Sequence, residues 1–182
     1  MKRKAAILAL VAMIVLIIAI PVAAAATPDT ILELYAKFES AIEKRKFIEY
    51  KEVLRKIIEK FSDKFGFSPS SVERNCLVDS LKNWKPFPDT VNALERLKKK
   101  YKLAIISNVD DDLFAFSEHQ LEVKFDYIIT AEQVKSYKPS LNNFKFAIAK
   151  IGVAKEAVLH IAQSIYHDII PAKTLGLSTI WV

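Results

Sequence analysis

The chain has 182 residues, 52% of them hydrophobic and 26% charged, with three Gly, seven Pro and one Cys. That balance excludes a disordered tail, a collagen-like chain and a small disulfide-built scaffold, and it leaves room for one ordinary domain or one domain with a small appendage. The formal charge is +6, of which Lys2, Arg3 and Lys4 supply three. The remainder is mild and unclustered, so no nucleic-acid partner is expected.

From Ala5 to Ala26 there is no charged residue and no Gly. A basic start, the apolar run Ala5 to Ile20, then Pro21 and Ala23-Ala24-Ala25-Ala26 follow the three-part order of a secretory signal peptide, with cleavage after Ala25 or Ala26. About 20 apolar residues in helical form also match a bilayer core. The same stretch therefore reads as an uncleaved anchor with its basic end cytoplasmic. Both readings predict an N-terminal apolar helix in residues 1–26, membrane association through residues 5–26, and a secreted or membrane-anchored protein. A third reading takes the β-branched stretch Ile14 to Ile20 as a buried strand, which leaves the protein cytoplasmic.

Residues 27–83 read as a small helical unit. Ile31, Tyr35, Phe38 and Ile42 recur at helical spacing, as do Leu54, Ile57, Ile58, Phe61 and Phe65. Thr27 or Asp29 caps the first helix, and Ser68 with Pro69 opens a third that runs to about Leu81. Cys76 has no intramolecular disulfide partner and sits beside Leu77 in an apolar pattern, as a small core residue. Arg45, Arg55 and Arg74 read as surface residues.

The run Trp84-Lys85-Pro86-Phe87-Pro88-Asp89 breaks the helical period and opens a second region, 84–182. There Val91, Leu94 and Leu97 give a short helix whose basic end, Lys98-Lys99-Lys100, suits the helix dipole. Apolar runs at 103–106, 127–129, 158–161 and 178–182 read as strands, separated by helical patterns at 111–121, 141–151 and 166–175. The alternation predicts α/β architecture, a parallel sheet with helices on both faces and strands buried on both sides.

Ligands in such a sheet bind at the carboxyl ends of the strands. The residues there are Ser107, Asn108 and Asp110, then Thr130 and Glu132 with Lys138 ahead of Pro139 further on, then Gln163, Ser164, His167 and Asp168. Each has a plainer reading. Ser107 and Asn108 are good helix caps, Lys138 is a loop lysine, and Asp168 is an acid at a helix start. His160, inside an apolar run, reads as a satisfied core residue. His167 and Asp168 are adjacent, and neighbours on a helix point in different directions.

Order and spacing carry more than any single residue. Ile106-Ser107-Asn108, Ser136-Tyr137-Lys138-Pro139-Ser140 and the run Ala162 to Ala172 resemble the second, third and fourth motifs of the haloacid dehalogenase superfamily, in its L-2-haloacid dehalogenase-like branch. The resemblance runs from about Thr30 to Val182. It implies a haloacid dehalogenase-like Rossmannoid core at 84–182 with a helical cap domain at 27–83. It also implies an aspartate nucleophile that forms a covalent intermediate later hydrolysed by water. On this reading Ser107, Asn108 and Ser164 bind a small carboxylate substrate or the departing group, Lys138 neutralises clustered carboxylates, and Asp168 positions or activates the water. The phosphatases of the superfamily carry an acid where this chain has Gln163. A neutral amide weakens a Mg²⁺ site, which favours the metal-free dehalogenase-like branch with no cofactor.

One expected part is missing. The family's first motif, of the form Asp-x-x-Gly-Thr on a strand before the cap, has no match, and no Asp precedes Asp29. The expectation is therefore an incomplete sheet, its first strand missing or replaced, and a hydrolase inactive or impaired for want of its nucleophile. The alternatives are a secreted or membrane-tethered binding protein that retains the carboxylate pocket, and a truncated or misjoined reading of an active dehalogenase gene. No oligomeric state follows from the sequence.

Overall fold

The computed structural model describes residues 27–182, so the predicted N-terminal apolar helix, signal or anchor falls outside the described residues. Among the described residues no helix is long and apolar enough to cross a membrane. The chain divides into two compact units between Lys85 and Pro86.

The first unit is helical: α1 (Pro28–Glu43), α2 (Tyr50–Phe65) and α3 (Ser71–Ser80). Thr27 caps α1, its hydroxyl accepting from Thr30 N at 3.2 Å. Gly66 ends α2 in the left-handed region, φ 71°, where a Cβ would be strained. The cap of α3 is Ser70 rather than Ser68. Ser70 accepts from Glu73 N while Glu73 reaches back to Ser70 N, and that reciprocal box sets the start two residues later than Pro69 suggested. The apolar stripes of α1 and α2 meet in a sealed core of Ile31, Val53, Leu54, Ile57, Ile58 and Phe61, joined by Leu77 of α3. Each such side chain contributes about 1.5–3 kcal/mol on burial. Phe61 packs edge-on to Phe38 and stacks on Phe65. Arg55 pairs with Glu52 and Asn75, and Arg74 with Glu59 at 2.8 Å. Cys76 is half-buried, and burial pushes its thiol up to about 11, which favours the protonated form.

The second unit follows the order α4 (Thr90–Lys98), β1 (Ala104–Ser107), α5 (Asp111–Leu121), β2 (Tyr127–Thr130), α6 (Ala131–Val134), α7 (Leu141–Ile151), β3 (Leu159–Ala162), a π-helical turn (Ile165–Ile169), α8 (Ile170–Thr174) and β4 (Ser178–Trp181). All pairing is parallel, as alternation of strands and helices requires. Among the described residues the strands form two separate two-stranded sheets, not one. β1 pairs with β2, Ile105 opposite Ile128, and β3 pairs with β4, Ile161 opposite Ile180.

Phe114, Val123 and Phe125 build a core under β1 and β2 with Leu94 and Ile105. Phe144 of α7 centres another with Ala172, Leu177 and Ile106. The expectation that every strand is buried on both faces fails: no residue of β1 is fully buried, and β3 and β4 are open on one face. Leu159, Ile161 and Ile180 point to one side and are 51%, 45% and 45% exposed. The strand period of two places His160 and Ala162 on the opposite, covered face.

Candidate active site

The site gathers at the carboxyl ends of β1 and β3, and its centre is Lys138. The loop between α6 and α7 that carries it is held at several points. Asn108, just past β1, accepts from Lys138 N at 2.7 Å and donates its amide to Lys138 O at 3.1 Å. Asn143, fully buried on α7, donates to Ser136 O at 2.7 Å. Ser140 caps α7 by accepting from Asn142 N. The backbone of Lys138 is thus fixed before its side chain is considered.

The ammonium then bridges two elements. Lys138 Nζ donates to Ile106 O on β1 at 2.8 Å and to Asp168 Oδ1 at 2.7 Å. The two side chains are 12% and 10% exposed, so little solvent screens the pair. Asp168 reaches inward because the turn that carries it is π-helical. Ile169 N bonds back five residues to Ser164 O at 3.1 Å, a wider winding that buries Asp168 and Ile169 while Ile165, Tyr166 and Ile170 stay exposed.

A second donor meets the same oxygen: His160 Nε2 lies 3.1 Å from Asp168 Oδ1. Burial pushes the Asp168 carboxyl up, but the His160 hydrogen bond and the Lys138 charge outweigh it, so the group titrates below its ordinary 3.8 and stays ionised. His167 is lowered too, but for a base that disfavours the charged form. Burial and the Lys138 charge lower its imidazole below the ordinary 6.5, against an opposing pull from Asp168. Its Nδ1 lies 3.1 Å from Ser164 Oγ, and Ser164 also accepts from His167 N.

Of the residues singled out from sequence, Lys138 and Asp168 meet directly. Asn108 joins them through the Lys138 backbone, so its amide braces the loop and caps no helix. Ser164 pairs with His167 and opens the π-helical turn. The hydroxyl of Ser107 makes no hydrogen bond among the described residues. His160, expected from its apolar neighbours to be a satisfied core residue, is satisfied by Asp168 and so joins the site. The available signal was the alternation of β3, which sets His160 on the face opposite Leu159 and Ile161. Asp111, another acid near this edge, is engaged elsewhere: it accepts from Thr130 Oγ1 at 2.6 Å and Gln133 Nε2 at 2.7 Å.

The donor set does not fit a divalent cation. Asp168 Oδ1 already holds an ammonium and an imidazole, Gln163 contributes no charge, and among the described residues no group of three or more His, Cys, Asp or Glu side chains gathers to bind a metal. What remains among the described residues is a fixed cation with a spare N–H, an ionised carboxylate with one oxygen uncommitted, and the His167 imidazole, whose pKa burial lowers.

Comparison with known proteins identifies the family. The profile of haloacid dehalogenase-like hydrolases matches residues 26–182. An (S)-2-haloacid dehalogenase of Pseudomonas sp. strain YL is 28% identical over 120 residues, 64% of this chain and 51% of that protein. A glyceraldehyde 3-phosphate phosphatase of Methanothermobacter thermautotrophicus is 31% identical over 104 residues, 54% of this chain and 45% of that one. The chain thus spans about half the length of the curated relatives it matches. Among solved structures, the L-2-haloacid dehalogenase of Xanthobacter autotrophicus with chloropropionic acid covalently bound superposes with TM-score 0.75 at 19% identity, covering 85% of this chain and 65% of that one. A Bacillus subtilis HAD-hydrolase bound to magnesium gives TM-score 0.80 at 20% identity, with 98% and 82% covered. At those identities the structural likeness speaks to fold alone.

Proposed function

Since the chain belongs to the haloacid dehalogenase-like hydrolases, we propose that its second unit carries the anion-binding and water-handling part of a metal-independent hydrolytic centre for a small 2-haloacid or related carboxylate, and that the chain binds such a molecule without turning it over. The observation that carries this reading is the Lys138 bridge between Ile106 O and Asp168 Oδ1. It sets an ammonium, paired with one carboxylate, at the strand ends, and among the described residues leaves one of its N–H groups for a bound anion. Ser107, whose hydroxyl is uncommitted, and Ser164 complete the substrate-binding set. Asp168 handles the water, and the helical unit ending at Lys85 is the cap.

Turnover in this family's reaction needs a carboxylate that attacks carbon. Among the described residues Asp168 is the carboxylate that meets Lys138, and its Oδ1 is clamped by two donors, which suits a water-positioning acid and not a nucleophile.

The test is direct. The full chain is incubated with 2-chloropropionate and with p-nitrophenyl phosphate, and halide and phosphate are measured. Neither is released on this reading, while 2-hydroxypropionate shifts the NMR signals of Lys138 and Asp168 on titration. Halide release with an ester-bonded carboxylate found by mass spectrometry overturns it, and so does the absence of any shift with 2-hydroxypropionate.

A further inference from the structure

His160 sits where its ring has two neighbours of different kinds. On one side Phe144, fully buried on α7, meets the imidazole edge-on, with ring centroids 5.3 Å apart at 76°. On the other, Nε2 reaches Asp168 Oδ1 at 3.1 Å. The strand register fixes the backbone beneath it, since His160 lies opposite Thr179 on β4. Position, ring plane and hydrogen bond are therefore set by three separate elements.

We infer that His160 is a positioning residue for Asp168: its Nε2–H and the Lys138 ammonium together commit Oδ1, so that Oδ2 alone is presented to a water molecule at the strand ends. The inference rests on the proposed function for the use made of that water, but the clamp itself stands on geometry. An ionised carboxylate accepts hydrogen bonds and donates none. With Asp168 ionised, the proton in the 3.1 Å contact belongs to His160, which fixes the Nε2–H form of the ring. One donor leaves a carboxylate free to swivel about its terminal torsion, a broad two-fold rotor. Two donors on the same oxygen, one from the α6–α7 loop and one from β3, stop that rotation. A water taken up by Oδ2 then has a defined direction of lone pair, which general-base positioning requires. His167, the other imidazole of the turn, does not substitute, because its Nδ1 is turned to Ser164.

The experiment reads Asp168 and His160 in the full chain without asking for turnover. Side-chain ¹³C NMR follows the Asp168 carboxyl against pH in the parent chain, in His160→Phe and in His160→Gln. Loss of the donor in His160→Phe raises the Asp168 midpoint by about one unit, and the amide of His160→Gln restores at least half of that shift. A folded His160→Phe with an unmoved midpoint overturns the inference, as does a His160→Gln displaced as far as the Phe variant. Should the Phe variant not fold, imidazole ¹⁵N shifts in the parent chain decide: protonation at Nε2 supports the clamp and protonation at Nδ1 alone ends it. Because none of these readouts depends on substrate, a failed clamp with intact 2-hydroxypropionate binding sinks this inference alone, whereas an intact clamp without binding sinks the functional reading alone.

Discussion

The helical unit and the α/β unit close their cores in different ways. In the helical unit, contacts between α1, α2 and α3 are short in sequence, and the apolar stripes of neighbouring helices are enough to seal Val53, Ile57 and Phe61 away from water. In the α/β unit the partners are far apart along the chain, and among the described residues they form two short parallel sheets. One of them, β3 and β4, is covered on the His160 face and open on the face of Leu159, Ile161 and Ile180. Helical cores are completed by sequence neighbours, whereas a parallel sheet depends on remote strands and on helices laid over both sides. The polar chemistry sits in the less completed unit, where Lys138 ties β1 to the turn after β3.

That contrast is broken most sharply by cutting each unit's apolar side chains. Phe61→Ala, in the sealed core, costs the helical unit about 3–5 kcal/mol, read as faster hydrogen exchange of α1 to α3 amides. Ile161→Ala, on the open face, costs less than about 1 kcal/mol, because there is little buried area to lose. Equal losses at the two positions contradict the comparison. In the site itself, Lys138→Met removes the charge beside a carboxylate that is only 10% exposed. The α/β unit then loses about 3 kcal/mol, and the Asp168 carboxyl, no longer balanced, titrates upward by NMR.

The two units also respond oppositely to pH. Glu39 is held between Tyr35 and Tyr50, whose hydroxyls lie 3.1 and 2.7 Å from Oε1. Burial raises its pKa above the ordinary 4.5, against smaller lowering effects of those hydrogen bonds. The folded helical unit thus binds more protons than the unfolded one in the window above 4.5, and its stability falls as pH rises through the raised value. His167 has a folded value below 6.5, so the α/β unit binds fewer protons folded than unfolded and loses stability as pH falls below 6.5. Asp168 adds a further loss as pH falls below 3.8 toward its lowered value. Between those limits, hydrogen exchange resolved by unit shows slopes of opposite sign. Glu39→Gln flattens the first and His167→Gln the second; slopes of the same sign in the parent chain refute the assignment.

What was legible in the sequence follows the same divide. Helix periodicity located α1 and α2 because their apolar spacing is local, and β-branched runs located every described strand to within a residue or two. Pairing was not legible, since no local pattern says that β1 bonds to β2 while β3 bonds to β4. Lys138 and Asp168 lie 30 residues apart, and what brought them together in the reading was resemblance to a family, not spacing. His160 was hidden for a physical reason: one polar residue in a four-residue strand leaves hydropathy apolar, and its partner comes from a turn whose π-helical winding has no sequence signature.

The smallest predicted effect separates backbone geometry from packing. Gly66 ends α2 with φ 71° and Gly152 ends α7 with φ 72°, and a Cβ built on either meets nothing within 4 Å. Substitution by Ala therefore carries only the backbone cost of the left-handed conformation, about 1 kcal/mol at each site. Asn, which tolerates that conformation better, costs less than Ala at both. Gly66→Ala slows no amide and speeds exchange only in the helical unit, and Gly152→Ala does so only in the α/β unit, by similar factors. If the costs are equal although the units around them are sealed so differently, the difference between the units lies in how side chains are covered, and the local chain geometry contributes nothing to it. A Gly152→Ala cost several times that of Gly66→Ala instead places part of the α/β unit's weakness in its backbone turns.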